Sequence, residues 1–259
     1  MMLNLSARAV VMIPSVWKMT LSLLVFAMCI ALLSACGGSG GGLVAETRAI
    51  AFASAVNLRS GDVPGMGTLV LGFETRNKPP FGSCTTHVGA SDEVVAVESS
   101  WFVRSRGQRR LRAGVIVGRP PVEGVHSVVY IMRDPGVSNR NVAAARSGGA
   151  PGCVERLSVR QASGRFIGRE PYKRQIKVSP MPFPIPGVTG YGLRVRSTVA
   201  GTVYHEKQRL AFHEDTFGFA AGPAEIVLHA DGVTRAISPA VERRLLLVLY
   251  SRAKAHELS

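Results

Sequence analysis

The chain has 259 residues, with 31 Lys and Arg against 17 Asp and Glu for a formal charge of +14, and only 4 Cys. Hydrophobic residues at 46% with 19% charged exclude wholesale disorder. Only one segment is apolar enough to approach a bilayer span, which excludes a polytopic membrane protein.

That segment comes first. Leu21–Leu33 is an apolar run preceded by Arg8 and Lys18 and by no acidic residue. A basic n-region, a short apolar h-region and small residues behind it make up a secretory signal peptide. The run falls short of the roughly 20 residues a spanning helix needs. It ends in Leu33-Ser34-Ala35-Cys36, which resembles the lipobox of bacterial lipoprotein precursors. The resemblance implies that Leu33, Ser34 and Ala35 are read by the lipoprotein peptidase, and that Cys36 becomes the diacylglyceryl-modified first residue of the mature chain. An ordinary signal peptide cut near Ala35, or an uncleaved anchor, is the alternative. Two or three palmitate-like chains on Cys36 make anchoring stable where one is marginal.

The expected organisation is a signal peptide over 1–35, a lipidated cysteine and Gly-rich tether over 36–43, and a single α+β envelope domain over 44–259. The tether, Gly37-Gly38-Ser39-Gly40-Gly41-Gly42, is expected to be a flexible coil with an end-to-end distance of about 13 Å. Excision removes only Arg8 and Lys18 from the basic excess. What remains suggests attraction to anionic lipid or to an acidic wall polymer. Nucleic acid, the usual partner of such a charge, is not expected outside the cell.

Cys29 leaves with the leader and Cys36 is lipidated, so Cys84 and Cys153 remain as an even pair in an oxidising compartment. They are predicted to be joined. The loop so closed is worth about 4 kcal/mol in the chain-entropy model. A metal site is the alternative, but no CxxC or HxxxH spacing accompanies either residue; two separate redox thiols are the other.

Along the mature chain, residues 43–55 read as a short Ala-rich helix leading into a strand-like Ala55–Leu58. Asp62–Met66 is a turn by its Pro-Gly pair, Gly67–Phe73 a short apolar element, and Asn77–Gly82 a loop. Glu93–Glu98 reads as a strand that leads through Trp101-Phe102-Val103 into a basic run. Arg104, Arg106, Arg109, Arg110 and Arg112 stand in that run with Gly107 near its middle, the composition of a hairpin tip and a candidate anion contact. Val125–Met132 is β-branched and aromatic, hence a strand. After an Asp134-Pro135-Gly136 turn, Val142–Arg146 and Cys153–Gln161 read as helices separated by a Gly-rich loop. Ile176–Val178 begins a strand that runs into Pro180–Gly187, which must be extended and cannot lie in a central strand. Gly190–Arg196 alternates as a half-buried strand does. Phe217–Phe219 and Glu225–His229 flank Ala220–Pro223, a hairpin. The last element is a helix over 238–256: Ser238 as N-cap, Pro239 at the first position, Glu242 in the first turn, and Val241, Leu245, Val248, Leu249 and Ala253 as an apolar stripe. Short spacings favour hairpins over βαβ crossovers, so the expected fold is α+β, a mostly antiparallel sheet flanked by helices.

Phe217-Gly218-Phe219, Gly222–Leu228, Glu242–Leu246 and Ser251-Arg252-Ala253 resemble the C-terminal part of actinobacterial cell-envelope lipoproteins. The layout is similar to the PsbP-like α/β sandwich of LpqN-type mycobacterial lipoproteins. The order over 127–153, a β run ending in Tyr130-Ile131-Met132, an Ala-rich helix and then a cysteine, resembles the sensor domains of actinobacterial receptor kinases. The resemblance spans about residues 55–256 and implies a shape rather than an activity.

For chemistry, His213-Glu214-Asp215 is the one close His/carboxylate cluster. On a strand His213 and Asp215 share a face and Glu214 does not. Gly-x-Ser-x-Gly, Ser-x-x-Lys, phosphate-loop and zinc spacings are not found in the sequence. No catalytic residue, metal or cofactor is therefore assigned. The expected function is a non-catalytic, lipid-anchored binding or assembly module on the outer face of the cytoplasmic membrane, with an envelope protein or small ligand as partner. An envelope hydrolase around His213 and Asp215, and a basic spacer on anionic wall polymer, are the alternatives.

Overall fold

A computed structural model of the chain describes residues 40–68, 84, 93–105, 110–112, 115–117, 121–163, 173–203, 206–256 and 258. Its helices are α1 (Gly40–Val56), α2 (Pro135–Arg146), α3 (Ala150–Ser163) and α4 (Pro239–Ala255). Its strands are β1 (Gly67–Thr68), β2 (Glu93–Glu98), β3 (Phe102–Ser105), β4 (Arg110–Arg112), β5 (Val115–Val117), β6 (Pro121–Met132), β7 (Lys173–Met181), β8 (Gly190–Val203), β9 (Glu206–Ala221) and β10 (Ala224–Val233). Eight strands form one antiparallel sheet in the order β1-β3-β6-β10-β9-β8-β7, with β2 pairing the far half of β6. β4 and β5 form a separate ladder. The fold is α+β, as expected, and the last four strands are a hairpin meander.

Period-2 alternation divides the sheet's residues between two helical layers. Ile226, Leu228 and Ala230 of β10, with Val129 and Ile131 of β6 and Phe217 and Phe219 of β9, meet Phe52, Val56, Leu245 and Leu249 of α1 and α4. Val227, Val128 and Tyr130 face the other way with Val137 of α2. Farther along that face, Tyr191, Leu193 and Val195 of β8 meet Val142, Ala145 and Val154 of α2 and α3. Each fully buried Leu, Ile, Val or Phe contributes about 1.5–3 kcal/mol. Arg252 near the end of α4 donates to both oxygens of Asp62 and to the Asn57 carbonyl, each at 2.8 Å, which ties α4 to the end of α1.

Several element boundaries differ from expectation. α1 starts at Gly40, inside the glycines expected as tether, and Ala55-Val56 complete it rather than opening a strand. Val56 is buried against the sheet, so the apolar period carries on to the helix end. α2 starts at Pro135: the Asp134 carboxylate caps it by accepting from the Gly136 amide at 2.9 Å, and Pro135 takes the first helical position. What reads as a turn is a helix start. α3 likewise begins at Ala150, before Cys153. The Pro-containing β7 lies at the sheet edge, as its Pro180 requires. The leader 1–35, Cys36 and the loop 77–82 lie outside the described residues.

Glu225 on β10 is 0% exposed. Asn141 Nδ2 of α2 donates to its Oε2 at 3.0 Å and the Tyr191 hydroxyl to its Oε1 at 3.2 Å. The tyrosine ring reaches it across Gly218, where a Cβ would lie 2.4 Å from the ring. Burial outweighs these hydrogen bonds and pushes the Glu225 carboxyl up to about 7. In the other layer, Glu242 of α4 is pushed up to about 8 by burial and then by its hydrogen bond to Asp215. In the unfolded chain both ionise near 4.5. Above that value the native state holds protons that the unfolded state has released, so stability falls as pH rises through the window and levels off above it. The melting temperature is expected to be highest near about pH 5 and to drop by about pH 8.5. Glu225→Gln should remove its own share of the drop that ends near about 7, while Asp231, which burial also pushes up to about 7, keeps the rest. A thermal-melt series in which wild type and variant keep the same slope would clear Glu225 of the effect.

Candidate functional site

One pocket, of about 300 Å³, opens where the turn after α1, the β3 and β6 ends, and the β10–α4 connection meet the first turns of α4. Val63, Met66, Ile237 and Val241 give it an apolar wall, and three guanidinium groups, those of Arg104, Arg235 and Arg244, stand around it. Glu123 of β6, its side chain 11% exposed, forms an ion pair with Arg104 Nη1 at 3.1 Å and accepts from Arg235 Nη2 at 3.2 Å. Arg244 has no acidic partner among the described residues, so three positive charges face one negative.

Local backbone chemistry sets this arrangement. Thr234 sits at φ 71°, a left-handed conformation that a β-branched residue adopts only under strain, of about 1–3 kcal/mol. Its amide donates to the Ala211 carbonyl at 2.7 Å, which fixes the turn and brings Arg235 to Glu123. Ser238 then accepts from the Val241 amide and starts α4, whose N-terminal dipole adds to the positive field at the pocket. Planar guanidiniums on a partly apolar wall suit charge-assisted, two-point hydrogen bonding to a phosphate or carboxylate.

Of the five arginines singled out as an anion contact, Arg104 alone is placed at this pocket. Arg106 and Arg109 lie outside the described residues, and only the backbone of Arg110 and Arg112 is described. The expected hairpin tip is not seen among the described residues: β3 pairs with β1 and β6, and β4 pairs with β5, so β3 and β4 are not partners. Leu33, Ser34, Ala35 and Cys36 lie outside the described residues. Cys84 and Cys153 are joined, with Cα atoms 5.5 Å apart, which clamps α3 to the chain before β2.

The strand sends Asp215 to one face of the sheet and Glu214 to the other. Asp215, 0% exposed, accepts from Arg194 Nε at 2.6 Å and Nη2 at 2.5 Å on the α4 side. Glu214 stands on the other face, 3.7 Å from His229 Nδ1. That face holds a cluster the sequence reading missed. His126 and His229, opposite each other on β6 and β10, stack with centroids 4.5 Å apart, and Trp101 stacks on His126 at 4.3 Å. Glu98 Oε1 accepts from Trp101 Nε1 at 2.8 Å and lies 3.3 Å from His126 Nε2. The only signal in the sequence was two strand histidines; that they are opposite depends on a pairing register between residues about a hundred positions apart. Among the described residues no three His, Cys, Asp or Glu side chains are placed to hold a metal ion.

No family model and no curated protein matches the chain. Among solved structures, the extracellular domain of PknH from Mycobacterium tuberculosis matches at a TM-score of 0.44 and 11% identity, over 78% of this chain and 95% of that one. No helix among the described residues is long and apolar enough to cross a membrane.

Proposed function

We propose that this chain is a non-catalytic, lipid-anchored binding or assembly module of the cell envelope, of the kind its actinobacterial lipoprotein-like sequence implies. It is held on the outer face of the cytoplasmic membrane by Cys36, and its pocket beside the start of α4 takes an anionic ligand. The observation that carries the binding role is the convergence of Arg104 with Arg235 and Arg244, more than a hundred positions further along the chain, on one partly apolar pocket. The Leu33–Cys36 box supports the anchor, and the Cys84–Cys153 disulfide is consistent with an oxidising compartment.

Two measurements test the two halves separately. Radiolabelled palmitate should enter the wild-type chain and not Cys36→Ala; equal labelling of both removes the anchor. Titrating the full chain with inorganic phosphate should raise its melting temperature. Arg244→Glu should abolish the rise, since it turns the unpartnered cation of the pocket into a repelling charge. A wild-type protein indifferent to phosphate, or a variant that responds equally, removes the pocket.

A further inference from the structure

Two large hydrophobic side chains are exposed among the described residues, Ile50 at 38% and Leu247 at 40%. They stand on α1 and α4, the two helices that cover the same face of the sheet. On α4 the helical repeat sets Leu247 one turn after Arg243 and Arg244 and one turn before Ser251, all on the outer side. These residues border a shallow groove of about 630 Å³ along the helix. Neither Arg243 nor Arg244 has an acidic partner among the described residues. Arg48 and Lys254 are exposed on the same layer, and Glu46 is its exposed acid.

Charge alone does not choose a face. The α2–α3 layer exposes Arg133, Arg140, Arg146 and Arg156 and is just as basic. Among the residues whose side chains are described, which in α3 end at Arg156, it shows no exposed large hydrophobic group. A leucine flanked by arginines is the pattern of an interfacial helix, in which the apolar tip enters the headgroup boundary while the guanidiniums pair with lipid phosphates.

We infer that the α1–α4 layer, through Leu247 and its flanking Arg243 and Arg244, seats the domain on an anionic phospholipid leaflet. This rests on the lipid-anchored reading. Cys36 stands four residues before Gly40, a stretch that spans at most about 14 Å when fully extended. An acylated Cys36 thus keeps Gly40, where α1 starts, close to the headgroups.

The test is hydroxyl-radical footprinting of the full chain in vesicles of phosphatidylcholine, with and without about 30% phosphatidylglycerol. Oxidation of Leu247 and Ile50 should fall about five-fold in the anionic vesicles, while Arg140 on the opposite layer keeps its value. The variant Arg243→Glu should lose most of that protection and keep its melting temperature, because the side chain is exposed and lies outside the phosphate pocket. Leu247 oxidised equally in both vesicle types overturns the docking. Protection that appears without vesicles and grows with protein concentration assigns the face to a second copy and overturns it too. Palmitate labelling without protection rejects the docking and spares the anchor. Lipid-dependent protection without palmitate labelling rejects the anchor and spares the docking.

Discussion

Replacing Cys84 and Cys153 together by serine is expected to lower the stability of the domain by about 4 kcal/mol. The bond joins residues 69 positions apart, so breaking it returns a large loop-closure entropy to the unfolded chain. It also frees α3, which carries Cys153 against β7, where the Glu155 carboxylate accepts from the Val178 amide at 3.2 Å. For a domain of this size the loss corresponds to a drop in melting temperature of about 8–16 °C. Reducing agent applied to the wild-type protein should reproduce it and leave the serine variant unaffected. A wild-type melt that does not respond to reductant, with full thiol titration confirming reduction, would show that the crosslink contributes little.

Arg194→Met is expected to cost a similar amount, about 3–5 kcal/mol, for a different reason. Asp215 is fully buried and takes two hydrogen bonds from the Arg194 guanidinium. Glu242, kept protonated at neutral pH by burial and by that same carboxylate, packs beside it. Without the arginine, the buried Asp215 charge has the neutral Glu242 carboxyl beside it and no cation to balance it. Removing both members of the pair should be far milder, because the penalty comes from the isolated charge and not from the lost attraction. Arg194→Met/Asp215→Asn should therefore recover at least half of the loss in a denaturant melt. A double variant as unstable as the single one would mean that Arg194 acts through packing alone.

The meander from β7 to β10 and helix α4 were legible because their signals are local. Ser238-Pro239 with Glu242 fixes a helix start within five residues, and a Pro-rich stretch can only border a sheet. The same capping chemistry at Asp134-Pro135 reads as a turn because Gly136 follows, yet a glycine in the first helical turn still offers its amide to the cap. The cysteine pair was legible from parity and compartment. The pocket was not. Arg235 joins Arg104 only through Glu123, and that meeting needs β6 and β10 in register and Thr234 in a conformation its side chain disfavours. Arg104 stands out in the sequence as part of a run, but Arg235 and Arg244, which share its pocket, lie more than a hundred positions away. The Trp101–His126–His229 stack was hidden for the same reason: strand partners are a property of the folded sheet, not of the neighbouring letters.

The edge strand β7 has one further consequence. A chain anchored as proposed above would meet its own copies often, and a long open strand would invite them to add on as further strands. β7 exposes Lys177 and Pro180 along that border. The proline offers no amide to an incoming strand, and the lysine of one copy would repel its counterpart in the next. Crowding therefore finds no template in this border, and many molecules can share a small area without polymerising through it.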